Sequence, residues 1–238
     1  MLSPYGLDII ETCLTCRLRA DKIFCNLPAK AVQALDGIKY TTAYPKGAVL
    51  FVEGQAPRGV FILCHGRVKL SICSSDGKTL ILKIAEPGEI LGLSATVSGK
   101  PYELTAETQE PCQVNFVKRD DFLRFLRDHN EVCLRVAEQL SEKYNTACHE
   151  IRSLGLSHSA AEKLAELLLE WSSKNGGSRP SDRIKLTLTH EEIAQMIGTS
   201  RETVTRLFAD FKKQQLIQLK GSTLVIRNRG ALEALINP

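Results

Sequence analysis

The chain has 238 residues, 43% of them hydrophobic, and a formal net charge of +4, which allows one or two domains with real cores. A pI near 8.6 is only mildly basic, so any affinity for nucleic acid must come from a local patch rather than from the whole surface. There is no secretory signal pattern and no uninterrupted apolar run of membrane length, so a cytoplasmic protein without membrane contact is expected, and its eight cysteines are not read as a disulfide framework.

Residues 1–39 form an N-terminal segment that carries Cys13-x2-Cys16 and then Cys25 after eight further residues. Soft thiolates grouped this way favour iron-sulfur or zinc coordination, and the Cys13/Cys16 pair also suits a thiol-disulfide switch. Separate buried or reactive thiols are the plain alternative.

Over residues 40–128 the chain changes character. Glycines at positions 47, 54, 59, 66, 77, 88 and 92 separate short β-prone runs at 49–52, 60–63, 68–73, 80–84 and 114–117, the pattern of a β-roll or barrel that would serve as the sensor. Cys112 stands just before the last run, while Cys64, Cys73, Cys133 and Cys148 fall inside strand or helix patterns and read as core fillers. His65 is the only histidine within the roll. A haem ligand or a cupin-type metalloenzyme, which needs several converging histidines and a carboxylate, therefore has little to build on. No nucleophile-base pair or phosphate-cradling glycine motif occurs elsewhere, and the chain is not expected to be an enzyme.

Residues 129–157 read as one long helix. Cys133, Ala137, Leu140, Tyr144, Ala147, Ile151 and Leu154 step by four and three, a coiled-coil-like seam for a homodimer, with packing of the helix on its own roll as the alternative. Residues 158–238 begin with a helix over about 160–172 and a loop at 175–180. A short strand follows through Ile184, Leu186 and Leu188.

Thr189-x-x-Glu192 is a capping box ahead of Ile193, Met196 and Ile197; Gly198 ends that helix, and Thr199-x-x-Glu202 starts another with Thr199 or Ser200 as its cap. In the second helix Val204, Leu207, Phe208 and Phe211 form the buried stripe, which leaves Arg201, Glu202, Thr205, Arg206 and Ala209 together on a polar face. Arginine can donate twice to guanine, glutamate can accept from cytosine, and threonine can touch a thymine methyl or a phosphate. Two apolar runs at 216–219 and 223–226, separated by Lys220-Gly221-Ser222, form a hairpin that would be the wing. The pattern is that of a winged helix-turn-helix whose second helix enters the major groove of double-stranded DNA. A palindromic operator would need a twofold partner.

This layout, with Ser200-Arg201-Glu202-Thr203-Val204-x-Arg206 as its most specific part, resembles the CRP/FNR superfamily of bacterial transcription regulators along nearly the whole chain. The resemblance implies an α+β fold: an N-terminal β-roll like the cyclic-nucleotide-binding jelly roll, a long dimerisation helix and a C-terminal winged helix-turn-helix. It implies that Arg201, Glu202 and Arg206 read base edges while Ser200 and Thr203 sit near phosphates, with Thr189 and Thr205 in the same interface, and that RNA polymerase is a partner. Arg201 is similar to the cyclic-AMP receptor branch, whereas Thr205 stands where the FNR branch tends to carry serine, so both TGTGA-like and TTGAT-like half-sites remain open.

The cysteines are similar to the FNR branch, in which three N-terminal cysteines and a distant fourth hold an oxygen-labile four-iron four-sulfur cluster. That resemblance implies Cys13, Cys16, Cys25 and Cys112 as ligands, although the Cys16-to-Cys25 gap is longer than in the best-known pattern. Cyclic-AMP binders of the superfamily use a Gly-Glu pair on the ribose and an Arg-Ser pair on the phosphate. The matching positions here are Gly92-Leu93 and Glu103-Leu104, with Gly88-Glu89 an acceptable local match to the first pair. No arginine occurs between Arg67 and Lys118, so a cyclic phosphate would meet a carboxylate with no cation in reach, and cyclic nucleotide is not the expected ligand.

Overall fold

The protein is described by a computed structural model that covers residues 4–19, 25–155, 159–175 and 183–236. The chain divides into two compact units, residues 1–146 and 147–238. Among the described residues no helix is long and apolar enough to cross a membrane.

In the first unit, α1 (Ala29–Ile38) is followed by β1 (Lys39–Tyr44), β2 (Val49–Phe51), β3 (Gly59–His65), β4 (Val68–Cys73), β5 (Thr79–Ala85), β6 (Ile90–Leu91), α2 (Leu93–Ser98), β7 (Thr105–Thr108), β8 (Cys112–Lys118), α3 (Arg119–Asp128) and α4 (Asn130–Gly155). The strands form two antiparallel sheets in the orders β1-β8-β3-β6 and β2-β7-β4-β5. Side chains alternate along a strand, so β3 serves two cores. Phe61 and Leu63 join Phe51, Leu91, Tyr102, Cys112 and Val114 in the interior of the roll, whereas Val60 and Ile62 join α1, α3 and the start of α4 on the outer face. Both faces are covered, which is why this stretch reads as a continuous apolar run rather than an alternating one.

The interior is closed around Tyr102. Its hydroxyl donates to the Gly59 carbonyl at 2.7 Å and accepts from the Gly59 and Arg58 amides at 3.2 and 3.1 Å, while its ring stacks on Phe51 with centroids 4.1 Å apart.

The long helix α4 uses two faces. Val132 and Val136 are buried against the roll and Leu140 packs partly against it. Leu134, Ala137, Ser141 and Tyr144, spaced by three, four and three, lie exposed, Leu134 at 64% and Tyr144 at 70%. The seam expected from the sequence is thus offset: Leu140 turns toward its own roll, and the exposed Cys133 gives its thiol hydrogen to the Leu126 carbonyl at 3.0 Å. The side chains of Ile151 and Leu154 lie outside the described residues.

The second unit comprises α5 (Ala160–Asn175), β9 (Arg183–Lys185), α6 (His190–Ile197), α7 (Arg201–Lys213), β10 (Ile217–Lys220), β11 (Thr223–Ile226) and α8 (Arg229–Ile236), with the sheet in the order β10-β11-β9. Leu164, Leu168, Ile193, Val204, Phe208, Leu224 and Leu232 form its core. The strand expected through Leu188 stops at Lys185. The wing turn tightens to two residues, since Lys220 pairs with Thr223, and Gly221 meets this with φ +59°. Asn175 ends α5, and the rest of the loop expected at 175–180 lies outside the described residues.

Replacing Tyr102 by Phe would strip a buried carbonyl and two amides of their partner. Urea unfolding should show a loss of about 1–2 kcal/mol at unchanged m-value.

Candidate functional site

The helix pair of the second unit is built as its sequence demands. The Thr189 hydroxyl accepts from the Glu192 amide at 3.2 Å, and the Glu192 carboxylate accepts from the Thr189 amide at 2.8 Å. Gly198 closes α6 in the left-handed region. Ser200, not Thr199, caps α7: its Oγ accepts from the Thr203 amide at 3.2 Å, while the Thr199 amide turns back to the Ala194 carbonyl. Glu202 therefore takes no part in a second capping box.

Val204, Phe208 and Phe211 are buried and Leu207 is partly so, while Arg201, Glu202, Thr205, Arg206 and Ala209 are all exposed. Arg201, Glu202 and Arg206 enter no ion pair among the described residues. Two guanidinium groups and a carboxylate thus stand on one side of a capped helix without a competing partner, ready for base edges. Ser200 and Thr203 sit at the N-terminus of the helix, where amides and helix dipole suit a phosphate. Thr189 holds the equivalent place on α6. Lys220 at the wing turn and Lys185 on β9 are exposed cations on either side of Thr223 in the wing sheet.

One residue of this interface escaped sequence reasoning. His190 stacks on Phe208 with centroids 5.0 Å apart and planes 4° from parallel, and its Nδ1 lies 2.9 Å from the Thr205 hydroxyl. That hydroxyl donates its single hydrogen to the Arg201 carbonyl at 2.9 Å, so the imidazole Nδ1 is the donor in the contact. Burial, then the nearby Lys212 and Arg201 charges, hold the imidazole below its ordinary pKa. With its oxygen engaged twice inside the protein, Thr205 has its methyl group left for an outside contact. The stacking of His190 depends on α6 and α7 folding against each other, and no local pattern announces it.

In the first unit the N-terminal segment is fastened to the outer face of the β1-β8-β3-β6 sheet. Gln113 accepts from the Ile10 amide at 2.9 Å and donates to the Ile10 carbonyl at 2.7 Å. Asn115, held by Thr41 at 2.8 Å, donates to Cys13 Sγ at 3.7 Å. Asp36 accepts from the Thr12 hydroxyl at 2.6 Å and the Cys13 amide at 3.0 Å, and pairs with Lys39 at 2.9 Å. Burial raises the pKa of its carboxyl, but those hydrogen bonds outweigh it and bring it to about 2.

The structure brings Cys13, Cys16 and Cys25 into one neighbourhood and leaves Cys112 elsewhere. Burial pushes the Cys13 thiol up to about 12, with Asp36 and Cys25 adding to the rise against Lys39. Cys112 is fully buried in the roll interior, on the opposite face of the sheet, where its thiol donates to the Glu110 and Arg67 carbonyls at 3.1 and 3.4 Å. Burial lifts it to about 11. A Cβ on Gly66 would fall 2.5 Å from its sulfur, so Cys112 is hemmed in on that side too. The set of Cys13, Cys16, Cys25 and Cys112 therefore does not fit a shared cluster in this arrangement. Among the described residues no three His, Cys, Asp or Glu side chains are already placed to hold a metal ion.

At the positions matched to a cyclic-nucleotide site, Leu93 is buried in the outer core, and Glu103 is exposed and accepts from Ser94 Oγ at 2.7 Å. A cation does approach, contrary to the sequence expectation: Lys143 of α4 donates to the Ile90 carbonyl at 3.0 Å and feels the charges of Glu89 and Glu103. It comes from a helix some forty residues away in sequence, where a search along the strands does not find it.

Residues 162–235 match the Crp-like helix-turn-helix domain family and residues 41–129 the cyclic nucleotide-binding domain family. The chain is 28% identical over 207 residues to a CRP-like cAMP-activated global transcriptional regulator of Mycobacterium tuberculosis, covering 86% of this chain and 91% of that protein. It is 23% identical over 184 residues to the cAMP-activated global transcriptional regulator CRP of Pasteurella multocida, covering 77% and 88%. Among solved structures, FixK2 from Bradyrhizobium japonicum superposes with a TM-score of 0.72 at 24% identity over 83% of this chain and 97% of that one.

Replacing Asp36 by Ala should free the segment that carries Cys13. Hydrogen exchange at the Cys13 amide should accelerate about tenfold or more, the equivalent of one lost charge-assisted bond, while the amides of β3 and β8 keep their protection.

Proposed function

The chain belongs to the CRP/FNR family of transcription regulators, and from that premise we propose that it acts as a homodimer that reads a palindromic operator and takes its signal through the cysteine-bearing N-terminal segment. It is a DNA-binding regulator and not an enzyme. The observation that carries the operator reading is the exposed side of α7, where Arg201, Glu202 and Arg206 lie clear of the core and of any ion pair among the described residues. Placed in the major groove, Arg201 and Arg206 would each present two donors to a guanine, Glu202 would accept from a cytosine, and the Thr205 methyl would meet a thymine. Ser200, Thr203 and Thr189 would approach phosphates through helix N-termini. Contact with RNA polymerase follows from family likeness.

The dimer face is the exposed stripe Leu134, Ala137, Ser141 and Tyr144, whose spacing of three and four is that of a two-stranded helical seam. On the input side, cyclic nucleotide is disfavoured because Leu93 and Glu103 stand where a ribose-binding glutamate and a phosphate-binding arginine are needed, and Lys143 is already tied to Ile90. Thiolates suit a soft metal cofactor of the iron-sulfur type. Bound to the N-terminal cysteines, such a group would supply an oxygen-labile link between the segment and the roll.

Fluorescence anisotropy with palindromic duplexes of TGTGA-like and TTGAT-like half-sites tests the operator reading. One of them should be bound at least about a thousandfold more tightly than random duplex at equal salt, and equal affinity for all would overturn it. Arg206→Ala should cost about 1–3 kcal/mol and relax base choice at one position per half-site. Charging the seam with Leu134→Glu and Tyr144→Glu together should yield a monomer in sedimentation, with loss of preference for the full palindrome over a single half-site.

A further inference from the structure

The geometry points to a four-thiolate site for a soft metal centre formed by Cys13, Cys16, Cys25 and Cys64, with Cys112 outside it. It supplies the fourth ligand for the sensory segment of the proposed function and rests on that reading.

The argument starts from strand parity. Along β3, Val60 and Ile62 face the outer core that Cys13 also packs against, and Phe61 and Leu63 face the interior. Cys64 is next in the outer series. The ladder to β8 slips at this residue: Leu63 pairs with Val114 and His65 with Gln113, which leaves Cys64 without a cross-strand partner. A bulge of this kind re-aims the extra side chain. Among the described residues Cys64 donates to its own strand, to the Ile62 carbonyl at 3.6 Å.

The slip occurs where the N-terminal segment is fastened. Ile62 pairs with Asn115, which holds Cys13, and His65 pairs with Gln113, which holds both the amide and the carbonyl of Ile10. Cys64 therefore lies on the strand next to both anchors, on the face the segment covers. Cys16 is turned back toward Cys13 by the hydrogen bond its amide donates to the Cys13 carbonyl at 3.3 Å, which gives the two-residue spacing a chelating bend. Cys13, Cys25 and Cys16 all lie close enough for their charges to act on Cys64. The parity that brings Cys64 out sends Cys112 in, since Cys112 shares the interior face of β8 with Val114 while Gln113 and Asn115 face outward. The side chains are not yet at ligating distance, so the site closes as the metal binds.

The test uses the full-length chain purified without oxygen and reconstituted separately with iron plus sulfide and with zinc. Bound iron, zinc and acid-labile sulfide are measured on wild type, Cys64→Ser and Cys112→Ser. Cys112→Ser should keep the wild-type metal content, and Cys64→Ser should lose about tenfold or more of it while its far-ultraviolet dichroism is unchanged. As a readout independent of folding in a variant, wild-type protein is alkylated and mapped by mass. Cys13, Cys16, Cys25 and Cys64 should be protected together when loaded and exposed together after chelation.

Metal lost from Cys112→Ser and kept by Cys64→Ser would overturn the site and leave an iron-sulfur sensor standing. Zinc held by the four thiols, with no iron taken up, would keep the site and overturn the oxygen-sensing reading. Alkylation of Cys64 indifferent to metal, or no metal of either kind in wild type, overturns the site.

Discussion

Burial of both faces of the β1-β8-β3-β6 sheet constrains the first unit more than any other feature. Its inner face closes the roll around Tyr102 and Phe51, and its outer face carries α1, α3, the start of α4 and the N-terminal segment. With a period of two, each residue of β3 and β8 is committed to one face by its neighbours. A shift of one residue would exchange the two cores. Gln113 and Asn115, polar residues between the apolar side chains of β8, are buried on the outer side because the segment above them offers the amide and carbonyl of Ile10 and the Cys13 sulfur as partners.

The second unit obeys a helical version of the same rule. Val204, Phe208 and Phe211 take one side of α7 into the core, and the remaining sector must face solvent. Evenly spread charges would make that sector an ordinary solvated face. Here the groups nearest the N-terminus are two arginines flanking a glutamate, and they enter no ion pair among the described residues, whereas elsewhere on the surface similar groups find partners such as Arg229 with Glu233 and Arg135 with Glu138. His190 adds order by fixing Thr205 against Arg201's carbonyl and stacking on the core residue Phe208.

What the sequence revealed depended on how local each signal was. Thr189 with Glu192, Gly198 and the buried stripe of α7 are decided within one or two helical turns, and they came through intact. The β-roll was legible from its glycines and short apolar runs, but α1, α2, α3 and α8 were not read, although Phe122, Phe125 and Leu126 give α3 a clear helical period between charged residues. Cys64 looked like a core filler because parity along β3 alone does not reveal the slip at Leu63, which exists only in the pairing with β8. Cys112 looked like a ligand by family likeness, and only the pairing shows which way it faces. Lys143 and Leu140 were misplaced for a related reason: the helix packs on its own roll and exposes a seam at once, and a heptad pattern does not divide the two.

The outer core gives the proposed signal a physical route. Cys13 packs against the same cluster as Leu35 of α1, Ile62 of β3 and Val132 and Val136 of α4, and Leu140 borders it. On the same turns, exposed sectors of α4 carry Leu134 and Ala137 of the seam. A change in how tightly the N-terminal segment is drawn onto β3 and β8 must therefore be absorbed by a close-packed cluster that also seats the helix, and such clusters shift between discrete packings rather than deforming smoothly. A ligand favouring one packing would bias the seam only by its differential affinity for the two. Under the proposed function the residues that would decide the response are thus Cys13 and its anchors Asp36, Gln113 and Asn115 on one side of the cluster, and Val132 and Val136 on the other.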